Sequence, residues 1–139
     1  MNLQGMYLVL SNPKTGFEKC TAAAVSCNVG FVQLRIKKSA REEIIAIGKT
    51  MRELTRGTAT RFIVNDDVTI ARELDADGVH LGQDDMSIEE ARRLWPEPGK
   101  IFGLSTHNLR QVQLASQQAP DYIGIGPVFA TPTKERPDP

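Results

Sequence analysis

The chain has 139 residues, of which 40% are hydrophobic and 24% charged, a composition typical of a soluble globular protein with one packed core. Its 17 basic and 17 acidic side chains cancel, which removes a general electrostatic attraction to nucleic acid or to anionic membranes. No apolar run approaches the roughly 20 residues of a membrane-spanning helix, and the N-terminus lacks a secretory pattern. We therefore expect a cytoplasmic protein that forms a single domain over residues 1–139, with no membrane or nucleic-acid partner.

Short apolar segments alternate with helical patterns along the whole chain. Strands are predicted at Met6–Leu10, Phe31–Ile36, Arg61–Val64, Gly78–Leu81, Ile101–Leu104 and Tyr122–Ile125. Helices are predicted between them at Phe17–Cys27, Ser39–Arg56, Asp67–Leu74, Ser87–Trp95 and Asn108–Gln118. Two of these helices begin with the pattern of a capping box, Ser39 with Glu42 and Ser87 with Glu90.

This alternation predicts a parallel sheet built from βαβ units. A doubly wound sheet and a (β/α)₈ barrel both fit, and the barrel is favoured because polar residues follow nearly every strand, as they do at the active end of such barrels. A Gly-x-Gly-x-x-Gly pattern after the first strand, which would indicate dinucleotide binding, is absent from the sequence. Cys20 and Cys27 lack metal-ligand spacing and are expected to be free thiols.

Acidic residues follow the third and fourth strands. Val64–Val68 reads Val-Asn-Asp-Asp-Val, and Gly78–Asp85 ends in Gly-Gln-Asp-Asp. Two strand ends that each offer a carboxylate are suited to Mg²⁺, which takes oxygen ligands from carboxylates, phosphates and water. The alternative is that Asp66 and Asp67 only cap the following helix.

Gln33, Arg35 and Lys37 alternate along the second strand and would share one face of it. An amide and two cations that converge in this way predict an anion site, since arginine grips phosphate oxygens with a fork of donors and lysine supplies a point charge. The alternative is an edge strand with a solvated face.

Hydroxyl groups follow the fifth and sixth strands. Ser105–Asn108 is suited to bind a substrate ring or a phosphate, or to cap a helix, and Thr131–Lys134 is either a binding loop or a surface turn. His80 lies within an apolar strand and is expected to be a hydrogen-bonded core residue rather than a metal ligand. Nothing in the sequence resembles an activated serine or cysteine nucleophile with a histidine partner.

Five segments taken in order resemble the signature segments of thiamine phosphate synthase, also called thiamine-phosphate pyrophosphorylase. They are Val32–Lys37, Val64–Val68, Gly78–Met86, Gly103–Asn108 and Gly124–Lys134. That family is a (β/α)₈ TIM barrel which uses Mg²⁺ to join a hydroxymethylpyrimidine diphosphate to a thiazole phosphate, giving thiamine phosphate and pyrophosphate. The resemblance implies that about six β/α units of the barrel are present here, the N-terminal portion, and that the protein forms a homodimer.

The resemblance also implies a role for each matching residue. Gln33, Arg35, Lys37, Asn65 and Lys134 would hold the diphosphate, Asp66 and Asp85 the metal, Ser105 the pyrimidine, and Thr131 and Thr133 the thiazole phosphate. Among them Arg35, Lys37, Lys134 and Ser105 would be catalytic. The chemistry would be dissociative, so that a pyrimidine carbocation is attacked by the thiazole nitrogen without a general base.

The chain departs from the family pattern in two ways. Ile36 stands where the family usually has an acidic residue, and its side chain should pack toward the helices. The chain also stops at Pro139 without a seventh and an eighth strand, so we expect a fragment that binds Mg²⁺-diphosphate weakly and does not turn over. The alternatives are a thiazole tautomerase-like relative and a non-catalytic phosphate-binding protein on the same barrel. The presence of Asp66, Asp85 and Lys134 favours the synthase.

Overall fold

The computed structural model describes residues 3–129, and over them six parallel strands form a single sheet in chain order. The strands are β1 (Tyr7–Leu10), β2 (Phe31–Leu34), β3 (Arg61–Asn65), β4 (Gly78–Leu81), β5 (Ile101–Thr106) and β6 (Tyr122–Ile125). The helices are α1 (Phe17–Ser26), α2 (Arg41–Thr55), α3 (Val68–Glu73), α4 (Ile88–Leu94) and α5 (Leu109–Gln118). In this part of the chain no helix is long and apolar enough to cross a membrane.

The sheet is curled into an open half-barrel. The hydroxyl groups of Tyr7 on β1 and Tyr122 on β6 lie 2.6 Å apart, although four strands separate these two in the sheet. A flat sheet would hold them far apart, because neighbouring strands are about 4.8 Å from one another. This confirms the predicted architecture of about six β/α units of a TIM barrel.

Alternation along the strands separates two cores. Outward side chains such as Val32, Leu34 and Val79 are buried against the helices in a large apolar cluster that also includes Met51 and Trp95. Inward side chains form a smaller apolar cluster of Phe31, Ile63 and Ile101 at the amino ends of β2, β3 and β5. The inner face is therefore apolar at one end of the strands, and the polar residues lie toward the other end.

The predicted elements are confirmed in type and order, with three local corrections. Strand β2 ends at Leu34 rather than at Ile36. Strand β5 continues to Thr106 rather than ending at Leu104, so Ser105 lies within the strand and not after it. Helix α2 begins at Arg41, and the predicted cap at Ser39 is wrong: Ala40 is the N-cap residue, with the extended backbone (φ −63°, ψ 147°) that precedes a first turn, and no side chain caps the helix. Ser39 thus lies one residue too early. The capping box of Ser87 and Glu90 is confirmed.

Two aspartates hold the amino ends of the strands together. The Asp77 carboxylate accepts hydrogen bonds from the backbone N–H of Phe62 (2.7 Å) and from the Arg52 guanidinium (3.1 Å). Asp121 repeats this arrangement two strands later and accepts from the backbone N–H of Phe102 (2.8 Å). Each carboxylate thereby ties the loop before one strand to the start of the preceding strand.

Replacing Asp77 with Ala is expected to lower the free energy of unfolding by about 1–3 kcal/mol, because the Phe62 N–H and the largely buried Arg52 lose an acceptor. Chemical denaturation measures the change. Glu53→Ala, at an exposed position on the same helix as Arg52, is the control and should change stability by less than about 0.5 kcal/mol. Equal effects of the two substitutions would contradict this account of Asp77.

Candidate active site

The inner face of the half-barrel encloses a cavity of about 610 Å³. Four side chains predicted to bind substrate line it together: Gln33, Arg35, Asn65 and Ser105. They come from three different strands or strand ends, and the parallel register brings them to one side of the sheet. A concave pocket with a few convergent polar groups is the usual form of a small-molecule site.

The two adjacent aspartates after β3 have different tasks. Asp66 has a left-handed backbone (φ 65°), and its N–H donates to the carbonyl of His80 on β4 at 2.8 Å. Asp67 then starts the helix: one of its carboxylate oxygens accepts from the backbone N–H groups of Thr69 (2.8 Å) and Ile70 (2.9 Å). The capping interpretation is therefore correct for Asp67, whereas Asp66 is turned away from the helix.

The charge states of these two aspartates differ for physical reasons. Partial burial acts against ionisation of Asp67, but the hydrogen bonds from the Thr69 hydroxyl and the two backbone N–H groups prevail and hold its pKa below the usual range. Asp66 shows the opposite shift. Partial burial, followed by the charge of Asp85 and a hydrogen bond with it, raises the pKa of Asp66 to about 6, although Lys37 and Arg35 act to lower it.

The predicted metal ligands are thus brought together. Asp85 is held by the backbone N–H of Gly82, which donates to its Oδ2 at 2.6 Å, and it can accept a hydrogen bond from the Asp66 carboxyl when Asp66 is protonated. Two carboxylates in contact repel when both are ionised, so the pair is suited to a cation. Among residues 3–129 no group of three or more His, Cys, Asp or Glu is arranged as a metal site. A hard cation such as Mg²⁺ fits two carboxylates if water or phosphate oxygens complete its shell.

The predicted cations lie on the same side as the acid pair. The Arg35 guanidinium donates to the Ser11 hydroxyl at 3.2 Å and lines the large cavity. Lys37 follows the end of β2 and lines a second cavity of about 280 Å³ together with Asn65 and Asp66. Both cations act on the Asp66 carboxyl, so positive and negative groups share one rim. Thr131, Thr133 and Lys134 lie outside the described residues.

A family model described as thiamine monophosphate synthase matches residues 6–139. The chain belongs to the thiamine monophosphate synthase family. Among curated relatives, the "Thiamine-phosphate synthase" of Halalkalibacterium halodurans is 36% identical over 89% of this chain. The "Thiamine-phosphate synthase" of Clostridioides difficile is 40% identical over 85% of it. The chain spans 58% and 56% of the length of these two relatives.

Solved structures agree on the fold. The chain superimposes on "Thiamine phosphate pyrophosphorylase from Pyrococcus furiosus" with a TM-score of 0.77 and 35% sequence identity, over 89% of this chain and 61% of that one. A thiamine phosphate pyrophosphorylase from Bacteroides thetaiotaomicron matches with a TM-score of 0.56 at 17% identity, which supports the fold alone. The cavity on the inner face of the half-barrel therefore lies within the fold that this chain shares with these two solved structures.

Within this thiamine monophosphate synthase fold, three site features were missed in the sequence. One is the contact of His80 Nε2 with Ser105 Oγ at 2.8 Å. The absence of an activated serine nucleophile stays a prediction, because this contact alone does not show activation. Tyr7 and Tyr122, which were not predicted at the site, also line the cavity. Their inward positions on β1 and β6 were a usable signal, because inward residues of a curled sheet converge. The prediction that His80 is hydrogen-bonded is confirmed, and Ile36 packs on the outer core as expected.

The raised pKa of Asp66 is directly testable in the metal-free protein. Carboxyl ¹³C NMR should show one aspartate that titrates near pH 6, and Asp85→Asn should lower this pKa because the neighbouring negative charge is gone. Asp84→Asn, a change of the same kind one residue away, should leave the pKa of Asp66 unchanged. An Asp66 pKa near 4 in the unaltered protein would contradict the described contact between Asp66 and Asp85.

Proposed function

We propose that the whole protein is a thiamine phosphate synthase and that the described residues form its site for a pyrimidine diphosphate with Mg²⁺. The coupling reaction, the thiazole phosphate substrate, the homodimer and the cytoplasmic location belong to this proposal. The single observation that supports it most is the shared rim on which the carboxyl groups of Asp66 and Asp85 adjoin while Arg35 and Lys37 act on the Asp66 carboxyl. A rim of this composition is suited to a metal-bound diphosphate.

The described side chains divide the binding task. Asp66 and Asp85 would hold Mg²⁺, which when bound neutralises negative charge on the phosphate oxygens. Arg35 and Lys37 would face the same oxygens, and the amides of Gln33 and Asn65 would hydrogen-bond to the diphosphate where it meets the cavity. Ser105 lies near the carboxyl end of β5, lines the same cavity and would contact the pyrimidine ring.

The proposed reaction depends on charge rather than on proton transfer. As the bond between the pyrimidine methylene and the diphosphate breaks, negative charge grows on the leaving group, and fixed cations lower the barrier because they are already in place. The resulting methylene cation is captured by the thiazole nitrogen, which carries a free lone pair and needs no base. Thr131 and Thr133 are proposed to contact the thiazole phosphate, and Lys134 the diphosphate.

Replacing Asp66 with Asn should weaken Mg²⁺-dependent binding of the pyrimidine diphosphate by about 10- to 100-fold, because one of two carboxylate ligands loses its charge. Isothermal titration with and without Mg²⁺ measures this. Asp84→Asn is the matched control and should bind as the unaltered protein does.

In the whole protein, Asp66→Asn or Lys134→Ala should abolish release of pyrophosphate in the presence of both substrates. Binding of a thiazole phosphate without any Mg²⁺-dependent diphosphate binding would favour the tautomerase-like alternative. Diphosphate binding without pyrophosphate release by the whole protein would favour the non-catalytic binder.

Mg²⁺ affinity should depend on pH with a midpoint near pH 6, because a proton on Asp66 competes with the metal. The sign follows from the raised pKa: the carboxyl is mostly ionised above pH 6 and mostly protonated below it. Affinity should therefore fall by about tenfold between pH 7 and pH 5, and Asp66→Asn should remove most of this dependence. Calorimetry at fixed ionic strength measures it, and a flat profile over this range would contradict the metal role of Asp66.

A further inference from the structure

We propose that a chain of hydrogen bonds through Gln33, Tyr7, Tyr122 and His80 fixes the direction in which Ser105 hydrogen-bonds, so that Ser105 presents a donor to the ligand. The ligand group it selects is a hydrogen-bond acceptor. That this acceptor is a ring nitrogen of the pyrimidine rests on the proposed function, whereas the direction of the hydrogen-bond chain does not. Tyr7, Tyr122 and His80 are positioning residues, because they act through Ser105.

The chain of hydrogen bonds crosses the interior of the half-barrel without a break. The Gln33 side-chain amide donates to the Tyr7 hydroxyl at 2.8 Å, and the Tyr7 and Tyr122 hydroxyls lie 2.6 Å apart. The Tyr122 hydroxyl lies 2.9 Å from His80 Nδ1, and His80 Nε2 lies 2.8 Å from Ser105 Oγ. These side chains come from five different strands: β1, β2, β4, β5 and β6.

The direction follows from counting protons. Gln33 donates to Tyr7, so the single proton of the Tyr7 hydroxyl is available to Tyr122. The Tyr122 proton is then available to His80 Nδ1, which makes Nδ1 an acceptor and leaves the ring proton on Nε2. If the hydrogen bonds ran in the reverse direction, the Tyr7 hydroxyl would accept from both Gln33 and Tyr122. Its own proton would then have no acceptor among these side chains.

The two phenols are well suited to this task. Burial raises the pKa of Tyr7, and burial together with the Tyr7 hydroxyl raises the pKa of Tyr122, so both keep their protons at neutral pH. Their rings are fixed by packing: Tyr7 stacks on Phe31 with centroids 5.2 Å apart, and Tyr122 stacks on His80 at 5.5 Å. Gln33, the first donor, is only 3% exposed, so its amide is held in place.

Gly103 makes room for this arrangement. A Cβ atom at this position on β5 would overlap the Tyr122 ring near its hydroxyl. On β6, by contrast, a Cβ at Gly124 would make an ordinary contact with the His80 ring at 3.6 Å. The inner face therefore leaves space for the Tyr122 hydroxyl at the centre of the chain.

The direction decides what Ser105 can do. If His80 Nε2–H donates to Ser105 Oγ, His80 has no lone pair facing the serine and cannot act as its base. The Ser105 hydroxyl proton is then left for an acceptor in the cavity. The serine–histidine contact in this fold is thereby a recognition device for a hydrogen-bond acceptor and not an activated nucleophile.

The protonation of His80 tests the direction without any substrate. The chain has two histidines, so imidazole ¹⁵N NMR of the protein, with His107→Gln used for assignment, identifies the His80 signals. The expected result is a proton on Nε2 and an Nδ1 resonance shifted by an accepted hydrogen bond. In Tyr122→Phe, which keeps the aromatic ring, the Nδ1 resonance should move toward that of a nitrogen without this donor. A proton on Nδ1, or an Nδ1 resonance that is unchanged in Tyr122→Phe, would overturn the proposal.

A ligand pair tests the consequence for recognition. The pyrimidine diphosphate and an analogue in which the ring nitrogen that faces Ser105 is replaced by C–H should differ about tenfold in affinity for the unaltered protein, since one hydrogen bond is lost. Ser105→Ala should erase this ratio and Tyr122→Phe should reduce it, because the pyrimidine diphosphate then loses the hydrogen bond that the analogue never makes. Gly103→Ala, which displaces the Tyr122 hydroxyl, should act like Tyr122→Phe, whereas Gly124→Ala should not. An unchanged ratio in both Ser105→Ala and Tyr122→Phe would overturn the proposal. Failure of either ligand to bind would count against the proposed function alone, because the histidine signals still report the direction.

Discussion

The close approach of two like charges is the constraint on which the site depends. The carboxyl groups of Asp66 and Asp85 adjoin, and partial burial together with the Asp85 charge raises the pKa of Asp66 to about 6. Such a pair is unfavourable when both groups are ionised, and it is tolerated because Arg35 and Lys37 act on the same carboxyl from the end of the neighbouring strand. The backbone keeps the pair in place, through the Asp66 N–H to His80 and the Gly82 N–H to Asp85.

The parallel register explains how so few residues supply the whole arrangement. Each strand offers one inward residue per level, and the levels differ in polarity from one end of the barrel to the other. Phe31, Ile63 and Ile101 close the amino end with apolar contacts. Tyr7 and Tyr122 pack against this cluster, and their hydroxyls meet at 2.6 Å. Apolar packing at the base thus orders the polar chain above it.

Much of the fold was predictable from the sequence because its signals are local. Apolar periodicity gave the type and order of every element over residues 3–129, and the capping box at Ser87 is a feature of four consecutive residues. Ser39 carried the same pattern and failed, because the backbone of Ala40 already has the conformation of a cap. A sequence pattern lists candidate caps, and the path of the chain selects among them.

The site was predictable only in part, since its contacts join distant segments. The sequence placed Asp66 and Asp67 at one strand end, but only the left-handed backbone of Asp66 separates the helix cap from the residue that meets Asp85. The contact of His80 with Ser105 joins residues 25 positions apart and depends on the curl of the sheet. Curl is a property of the assembled barrel, which no single segment of the sequence encodes.

A crystal structure with Mn²⁺ and pyrophosphate tests the central claim most directly, because Mn²⁺ takes the same oxygen ligands as Mg²⁺ and is located by its anomalous signal. The account predicts one strong anomalous peak between the carboxylates of Asp66 and Asp85, with phosphate oxygens between the metal and the side chains of Arg35 and Lys37. A metal bound away from both aspartates, or a pyrophosphate bound outside this rim, would contradict it.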